Sequence, residues 1–491
     1  MSVSKSFAVF SALLVENLSK LHPSLLPGLT LDTPVRLALP QFGLPAEDWE
    51  DGGRDITLRM LASHSAGIPR EGYSTDFNMV TGLGKADAET IGADWAGATP
   101  EGVIEVVRKT NLMFAPGQRA AYSNAGLSIL GSAVVNYYNN LTGSDLIWSQ
   151  LTMKEVLAPL NMTHSFFGPV PQDLIPDVGV PGGENWADLL VGTGYDPVAG
   201  MWTSANDLTK YLHNIWLRPD PPPLITVPQR RHSLKPDLAL PDGKQLVGAG
   251  WEIDLFDVPT ANSTPGANKT YYTYGKSGDG GGWHAWIDIV PNLGYGTVIL
   301  SQQSALPDYI PISPTSIRDS VQALLIPAFA KALTARMGER FAGWYADGRD
   351  AGEMSEEVQT NGTNTTTYAK TELQDQILYL RDLVINGSSA LEGLDRLGWT
   401  ADDQSRYFST PAGVALTPAE GAGENAQFGS RAQVWRMMLP GLEVCDWFDF
   451  DGYKDQSGWS LSKVVLVESE SGNGVDLHYP PYDIVLSRVR G

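Results

Sequence analysis

Over the first twenty-two residues, apolar side chains fall at Phe7, Phe10, Leu14, Leu18 and Leu21, in steps of three and four. That spacing predicts an amphipathic helix over residues 1–22. Residues of about 55–215 read as mainly helical with long Gly/Pro-rich loops, including a helix over Ala125–Tyr138. The break Arg218-Pro219-Asp220-Pro221-Pro222-Pro223 marks a linker. Residues 245–305 are strand-rich, and Tyr271-Tyr272-Thr273-Tyr274 reads as a strand on a sheet edge. Ser313-Pro314 has the form of a capped helix start, with Ile317, Val321, Leu324 and Ala328 on one face. A different region opens at Phe341-Ala342-Gly343-Trp344-Tyr345. From there to Gly491, short strands alternate with turns such as Asn386-Gly387. The expected organisation is a domain over residues 1–335 and a small accessory β-rich domain over 336–491. The second is expected to shape or cover a pocket without supplying a catalytic group. No repeat of solenoid period is present.

Three short motifs stand out against this pattern. Ser2-Val3-Ser4-Lys5 opens the first helix, where residues three apart share a face, so Ser2 and Lys5 can meet. The same spacing recurs at Ser460-Leu461-Ser462-Lys463, but Val464-Val465-Leu466-Val467 follows and makes that copy a strand. On a strand, residues three apart diverge, so the second copy reads as structural. Tyr122-Ser123-Asn124 lies in a loop between the turn Ala115-Pro116-Gly117 and a helix, where catalytic groups commonly sit. Its repeat, Tyr137-Tyr138-Asn139, reads as a helix end. Lys276-Ser277-Gly278 occurs once and follows a strand. A phosphate-binding loop is excluded there because Thr270 stands where its first glycine is required.

In this order, S-x-x-K, Y-x-N and K-S-G resemble the catalytic set of active-site-serine penicillin-recognising enzymes. The chain resembles the beta-lactamase-related serine hydrolases: class C beta-lactamases, penicillin-binding-protein-like D-amino-acid peptidases, and esterases or transesterases of the same fold. Further segments are similar to that family's, among them Ile56–Pro69, Phe114-Ala115-Pro116-Gly117-Gln118, Trp202–Leu208, Trp286–Pro291 and Thr297–Leu300. The resemblance covers roughly residues 1–335. It implies an α+β fold of beta-lactamase/transpeptidase type, an antiparallel sheet flanked by helices plus a mainly helical subdomain, followed by the C-terminal β-rich domain. In the family a helix and two strands precede the serine helix, so the resemblance also implies that this chain is truncated at its N-terminus.

By this resemblance Ser2, Lys5 and Tyr122 are the catalytic residues, and Asn124, Lys276, Ser277, Gly278 and Asp279 bind substrate. The chemistry explains the residue types. A serine hydroxyl needs a base within hydrogen-bond reach. Lysine serves as that base only when neutral, which burial and a second positive charge, here Lys276, both favour. Tyr122 would relay the proton to the leaving group. The oxyanion would lie between the backbone N–H groups of Ser2 and Asp279. The substrate is a small molecule or peptide bearing an ester, amide or β-lactam-like bond. Two alternatives differ in outcome: an acyltransferase or hydrolase of secondary metabolism, and an inactive binding protein of the same fold.

Composition narrows the partners. The 491 residues carry a net charge of −22 and a pI near 4.6, which argues against nucleic acid or anionic membrane as a partner. No apolar run reaches the length of a membrane span. The first residues lack the basic flank of a signal peptide. Yet eight N-x-[ST] sequons occur, at Asn17, Asn140, Asn161, Asn262, Asn268, Asn361, Asn364 and Asn386. Chance gives roughly two or three. The excess points to a secreted glycoprotein of fungal style whose signal peptide lies upstream, with Asn361–Thr367 an exposed, glycosylated loop. The single cysteine, Cys445, forms no internal disulfide and reads as a buried small side chain. No H-E-x-x-H or Cys/His cluster suggests a metal, and no cofactor is expected. His64 and His284 read first as structural histidines, and Trp202 and Trp283 first as core packing.

Overall fold

A computed structural model describes residues 1–22, 28–44, 56–72, 94–182, 190–259, 268–304, 313–347, 367–374, 376–395, 413–419, 426–438, 452–468 and 474–489. The chain forms two compact units. The first comprises Met1–Asp257 and Thr270–Leu324; the second comprises Val258–Lys269 and Leu325–Gly491.

Helix α1 (Ser4–Leu21) is the centre of the first unit. Its apolar spacing yields a helix, but from Ser4 to Val15 every residue is buried, so the expected polar face is covered as well. The serines on that face are satisfied inside the core. Ser6 Oγ lies 2.9 Å from Tyr211 Oη, and Ser11 Oγ accepts from Trp148 Nε1 at 3.0 Å. Amphipathic character appears only in the last turns, and Leu21, expected on the buried face, is exposed. Helices α2 (Leu58–Ala62), α3 (Asn124–Thr142) and α4 (Asp196–Ala199) surround this core. Side-chain caps set two of them: Thr57 accepts from Met60 N, and Ser123 accepts from Gly126 N. The proline-rich stretch after Arg218 joins two helices within this same unit.

Six antiparallel strands complete the first unit in simple sequence order: β1 (Pro236–Ala239), β2 (Gln245–Gly248), β3 (Trp251–Pro259), β4 (Asn268–Gly280), β5 (Trp283–Val290) and β6 (Tyr295–Gln302). The strand bearing Lys276-Ser277-Gly278 is β4. It lies between β3 and β5, inside the sheet and not at its edge. Helix α5 (Pro314–Phe341) begins at the proline, as the sequence predicts. Its buried face is not the apolar one. Leu324 is 74% exposed and Ala328 is exposed, whereas Arg318, Gln322 and Ile326 are buried. The polar pair satisfies buried acidic groups on the sheet: Arg318 forks onto Asp288, and Gln322 Nε2 donates to the same carboxylate at 3.1 Å.

The second unit is an up-and-down barrel. Strands β7 (Gly343–Ala346), β8 (Tyr368–Gln374), β9 (Ile377–Ile385), β11 (Val414–Ala419), β12 (Ala432–Met438), β13 (Lys463–Glu468), β14 (Val475–Tyr479) and β15 (Ile484–Arg488) each pair antiparallel with the next, and β15 returns to β7. The two-residue β10 (Ser388–Ser389) is appended to β9 through the turn at Asn386 and Gly387, both at positive φ. Closure leaves those strands without free edges. The core includes Leu380, Trp435, Leu466, Leu477 and Tyr479. Lys463 of the second S-x-x-K is on a strand, as expected. Its ammonium lies over the rings of Phe428 and Trp459, while Ser460 Oγ pairs with Ser462. No helix among the described residues is long and apolar enough to cross a membrane.

Asn262, Asn361, Asn364, Cys445 and the side chain of Asn268 lie outside the described residues. Asn140, Asn161 and Asn386 are exposed. Asn17 is half-buried on α1 and donates to Pro223 O at 3.1 Å.

Candidate active site

The first turn of α1 brings two motif residues together. Lys5 N donates to Ser2 O, and one helical turn separates the side chains, so Lys5 Nζ lies 3.0 Å from Ser2 Oγ. Lys5 is 1% exposed, and its amine also donates to Val198 O of α4 at 3.1 Å. Burial, and after it the charge of Lys276, holds the Lys5 pKa well below the ordinary lysine value and favours the neutral amine.

Tyr122 arrives from the loop before α3 and donates to Ser2 Oγ at 2.8 Å. The loop is fixed by the segment after α2. Ala121 N donates to His64 O, Ser123 N donates to His64 Nδ1, and Asn124 N donates to Arg70 O. The His64 ring stacks on Tyr122 at 4.6 Å, with His64 itself at a φ of 57°. Burial, then the two lysines, depresses the His64 pKa, in keeping with an unprotonated Nδ1 that accepts a hydrogen bond. Burial raises the Tyr122 pKa, so its hydroxyl stays protonated.

Lys276, 2% exposed, also approaches the tyrosine ring. Its ammonium is 5.3 Å from the Tyr122 ring centroid, and Lys5 Nζ is 4.9 Å from the same centroid. Lys276 forms an ion pair with Glu252 of β3 and donates to Ser277 O at 2.9 Å. Burial alone would discharge Lys276, but Glu252 outweighs it, and the net pKa is raised. For Glu252 burial is likewise outweighed by Lys276, and its pKa is lowered. The cluster therefore holds a neutral-leaning amine, a protonated phenol and a paired cation around one hydroxyl.

The remaining predicted residues have distinct surroundings. Ser277 N donates to Glu252 Oε2 at 3.0 Å. Gly278 packs against the backbone at Ser2 and Val3. Asp279 pairs with His284 across the β4–β5 ladder, with Oδ1 2.6 Å from Nδ1. Asn124 is buried at the start of α3. Its Nδ2 donates to Glu71 Oε1 at 2.8 Å, and its Oδ1 is buried without a hydrogen-bond partner among the described residues. Sequence reasoning missed Glu71 and Glu252. Glu71 also accepts from Tyr195 Oη at 3.2 Å. The alternating pattern around Glu252 gives its strand but not its reach to Lys276.

A cavity of about 360 Å3 adjoins the cluster and is lined in part by Met1, Val3 and Gly278. Trp202, Trp283 and His284 also line it, so the two tryptophans form cavity wall where core packing was the first expectation.

The beta-lactamase family profile matches residues 1–321. A beta-lactamase-like protein of Arthroderma benhamiae is 27% identical over 80% of this chain and 63% of its own length. Beta-lactamase-like protein 2 of Dictyostelium discoideum is 24% identical over 46% of this chain and 37% of its own length. The chain thus spans less than two thirds of either relative. Among solved structures, a beta-lactamase/D-alanine carboxypeptidase from Yersinia pestis is 18% identical, with 66% of this chain and 81% of that chain covered and a TM-score of 0.47. The profile match runs through every element that contributes to the Ser2 cluster, and the chain therefore belongs to the beta-lactamase family of serine hydrolases.

Proposed function

We propose that this protein hydrolyses an ester, amide or β-lactam-like bond through a covalent acyl intermediate on Ser2. The observation that carries this reading is the convergence on Ser2 Oγ of Tyr122 Oη at 2.8 Å and Lys5 Nζ at 3.0 Å. Ser2 Oγ attacks the acyl carbon while Lys5 takes the hydroxyl proton. Negative charge on the former carbonyl oxygen is met by the N–H groups of Ser2 and Asp279. The bond to the leaving group breaks, and Tyr122 delivers the proton to it. Water then attacks the acyl carbon while a basic group of the Lys5–Tyr122 pair takes its proton, the Ser2 Oγ–acyl bond breaks, and that proton returns to Ser2 Oγ as the acid leaves. Asn124, Lys276, Ser277 and Gly278 orient the substrate in this scheme. The exposed sequons at Asn140, Asn161 and Asn386 support passage through a secretory route.

A fluorophosphonate probe applied to the full chain tests the assignment. Mass spectrometry is expected to place the label on the Ser2 peptide. Ser2→Ala is expected to abolish labelling, and Tyr122→Phe to slow it by about a hundredfold. Label on another serine, or undiminished labelling of Ser2→Ala, removes Ser2 from the mechanism.

A further inference from the structure

The cavity beside Ser2 has a large apolar wall, with polar side chains between its rings. Phe166, Leu174, Met201, Trp202, Trp283 and Leu300 line it. Trp202 is the organising ring: Trp283 meets it edge to face at 5.4 Å, and Phe166 stacks on it at 6.4 Å. Val3 and Gly278 line it and flank the Ser2 turn, Val3 as the next residue and Gly278 by its close approach to Ser2 N, so the cavity begins beside the proposed nucleophile. Rigid aromatic walls of this size suit a ligand that gives up water on entry.

Charge on the walls points the same way. None of the described residues lining the cavity is a lysine or arginine, and Asp177 lines it. His284, also on the wall, is held by the Asp279 carboxylate. The nearby Lys276 ammonium is already paired with Glu252. His164 lines it too, with Nδ1 3.2 Å from Thr163 Oγ1. A carboxylate entering the cavity would lose its hydration with no lysine or arginine on the described wall to replace it, beside an existing acid.

Resting on the acyl-serine reading above, we infer that this cavity is the subsite for an uncharged, apolar acyl group of an ester substrate, and that it rejects acyl groups carrying a carboxylate. Binding of the group expels water from aromatic surface, and each added methylene extends that gain until the cavity is full.

The test is a series of p-nitrophenyl esters from acetate to octanoate, with a parallel series whose acyl chains end in a carboxylate. In the neutral series kcat/KM is expected to rise about fourfold per methylene before reaching a plateau. A carboxylate-ended chain of equal length is expected to react at least about a hundredfold more slowly. Trp283→Ala is expected to lower the octanoate-to-acetate ratio about tenfold. Leu300 is 43% exposed and tolerates a charge, so Leu300→Lys is expected to improve the relative rate on the carboxylate-ended ester. A flat neutral series, or equal rates for the two chain types, overturns the inference. Ser2 labelling by the fluorophosphonate together with a flat series sinks the subsite alone. If Ser2 is not labelled, indole quenching by octananilide decides the subsite independently of turnover: saturable binding weakened by Trp283→Ala supports it, and no binding overturns it.

Discussion

Gly278 closes against the backbone of Ser2. A Cβ placed on Gly278 would stand 3.0 Å from Ser2 N and 3.0 Å from Val3 N. These are amides of the first turn of α1, whose N–H groups have no partner four residues earlier. The third motif is thus fitted to the first by the absence of a side chain, which lets β4 approach the turn that carries Ser2.

Gly278→Ala is therefore expected to push β4 and the start of α1 apart by a few tenths of an ångström. The two atoms nearest the added Cβ are backbone nitrogens, so the shift falls on the proposed oxyanion site. The expected result is a loss in kcat/KM of roughly tenfold to a hundredfold with Tm little changed. Steady-state kinetics on an activated ester, paired with thermal denaturation, checks it. Wild-type kinetics in the alanine variant would show that the close approach has no catalytic consequence.

The sequence made the Ser2–Lys5 pair legible because S-x-x-K on a helix fixes its own geometry: the two side chains need only local structure to meet. Tyr122 and Lys276 were legible as motif residues, though their convergence depends on contacts more than a hundred residues apart in the chain. The acids were not. Glu71 and Glu252 belong to no motif, and only tertiary structure shows that one holds Asn124 and the other pairs with Lys276. The buried face of α5 has the same origin. Periodicity marks the apolar face as the buried one, but Asp288 on the sheet demands a cation, and that demand turns Arg318 inward instead of Leu324. The barrel was visible as strands and turns; its closure is set by β15 pairing back to β7, which no local pattern encodes.

The acid limb of the pH profile is expected to report Lys5. The competent form is the neutral amine, so activity rises with pH through the Lys5 pKa and is lost below it. Burial depresses that pKa most, and Lys276 next. Lys276→Met removes the second influence, so the Lys5 pKa rises and the acid limb moves to higher pH. Lys276 itself has a raised pKa and stays charged across that limb in the wild type. A profile of kcat/KM against pH for both proteins decides the matter. An unmoved limb, or one displaced to lower pH, would mean that Lys5 is not the titrating group.

Arg318 supplies the last prediction, which concerns stability rather than catalysis. Its guanidinium grips Asp288 in a fork, with Nε 2.8 Å from Oδ2 and Nη2 3.0 Å from Oδ1. It also donates to Asp254 at 2.7 Å and to Thr273 Oγ1 at 2.6 Å. Asp288 is 0% exposed. Burial pushes its pKa up, while the Arg318 hydrogen bonds and charge pull back toward the ionised form. Arg318→Met keeps the length of the side chain but leaves Asp288 buried with Gln322 and Trp286 as its remaining side-chain donors among the described residues. The expected cost is about 3–5 kcal/mol, because an uncompensated buried charge is far worse than a missing pair. Asp288→Asn added to that variant removes the charge and is expected to recover most of the loss. Urea denaturation of the two single variants and the double variant measures the coupling. If the double variant is as unstable as the sum of the two singles, the pair is not coupled, and the inward turn of Arg318 needs another cause.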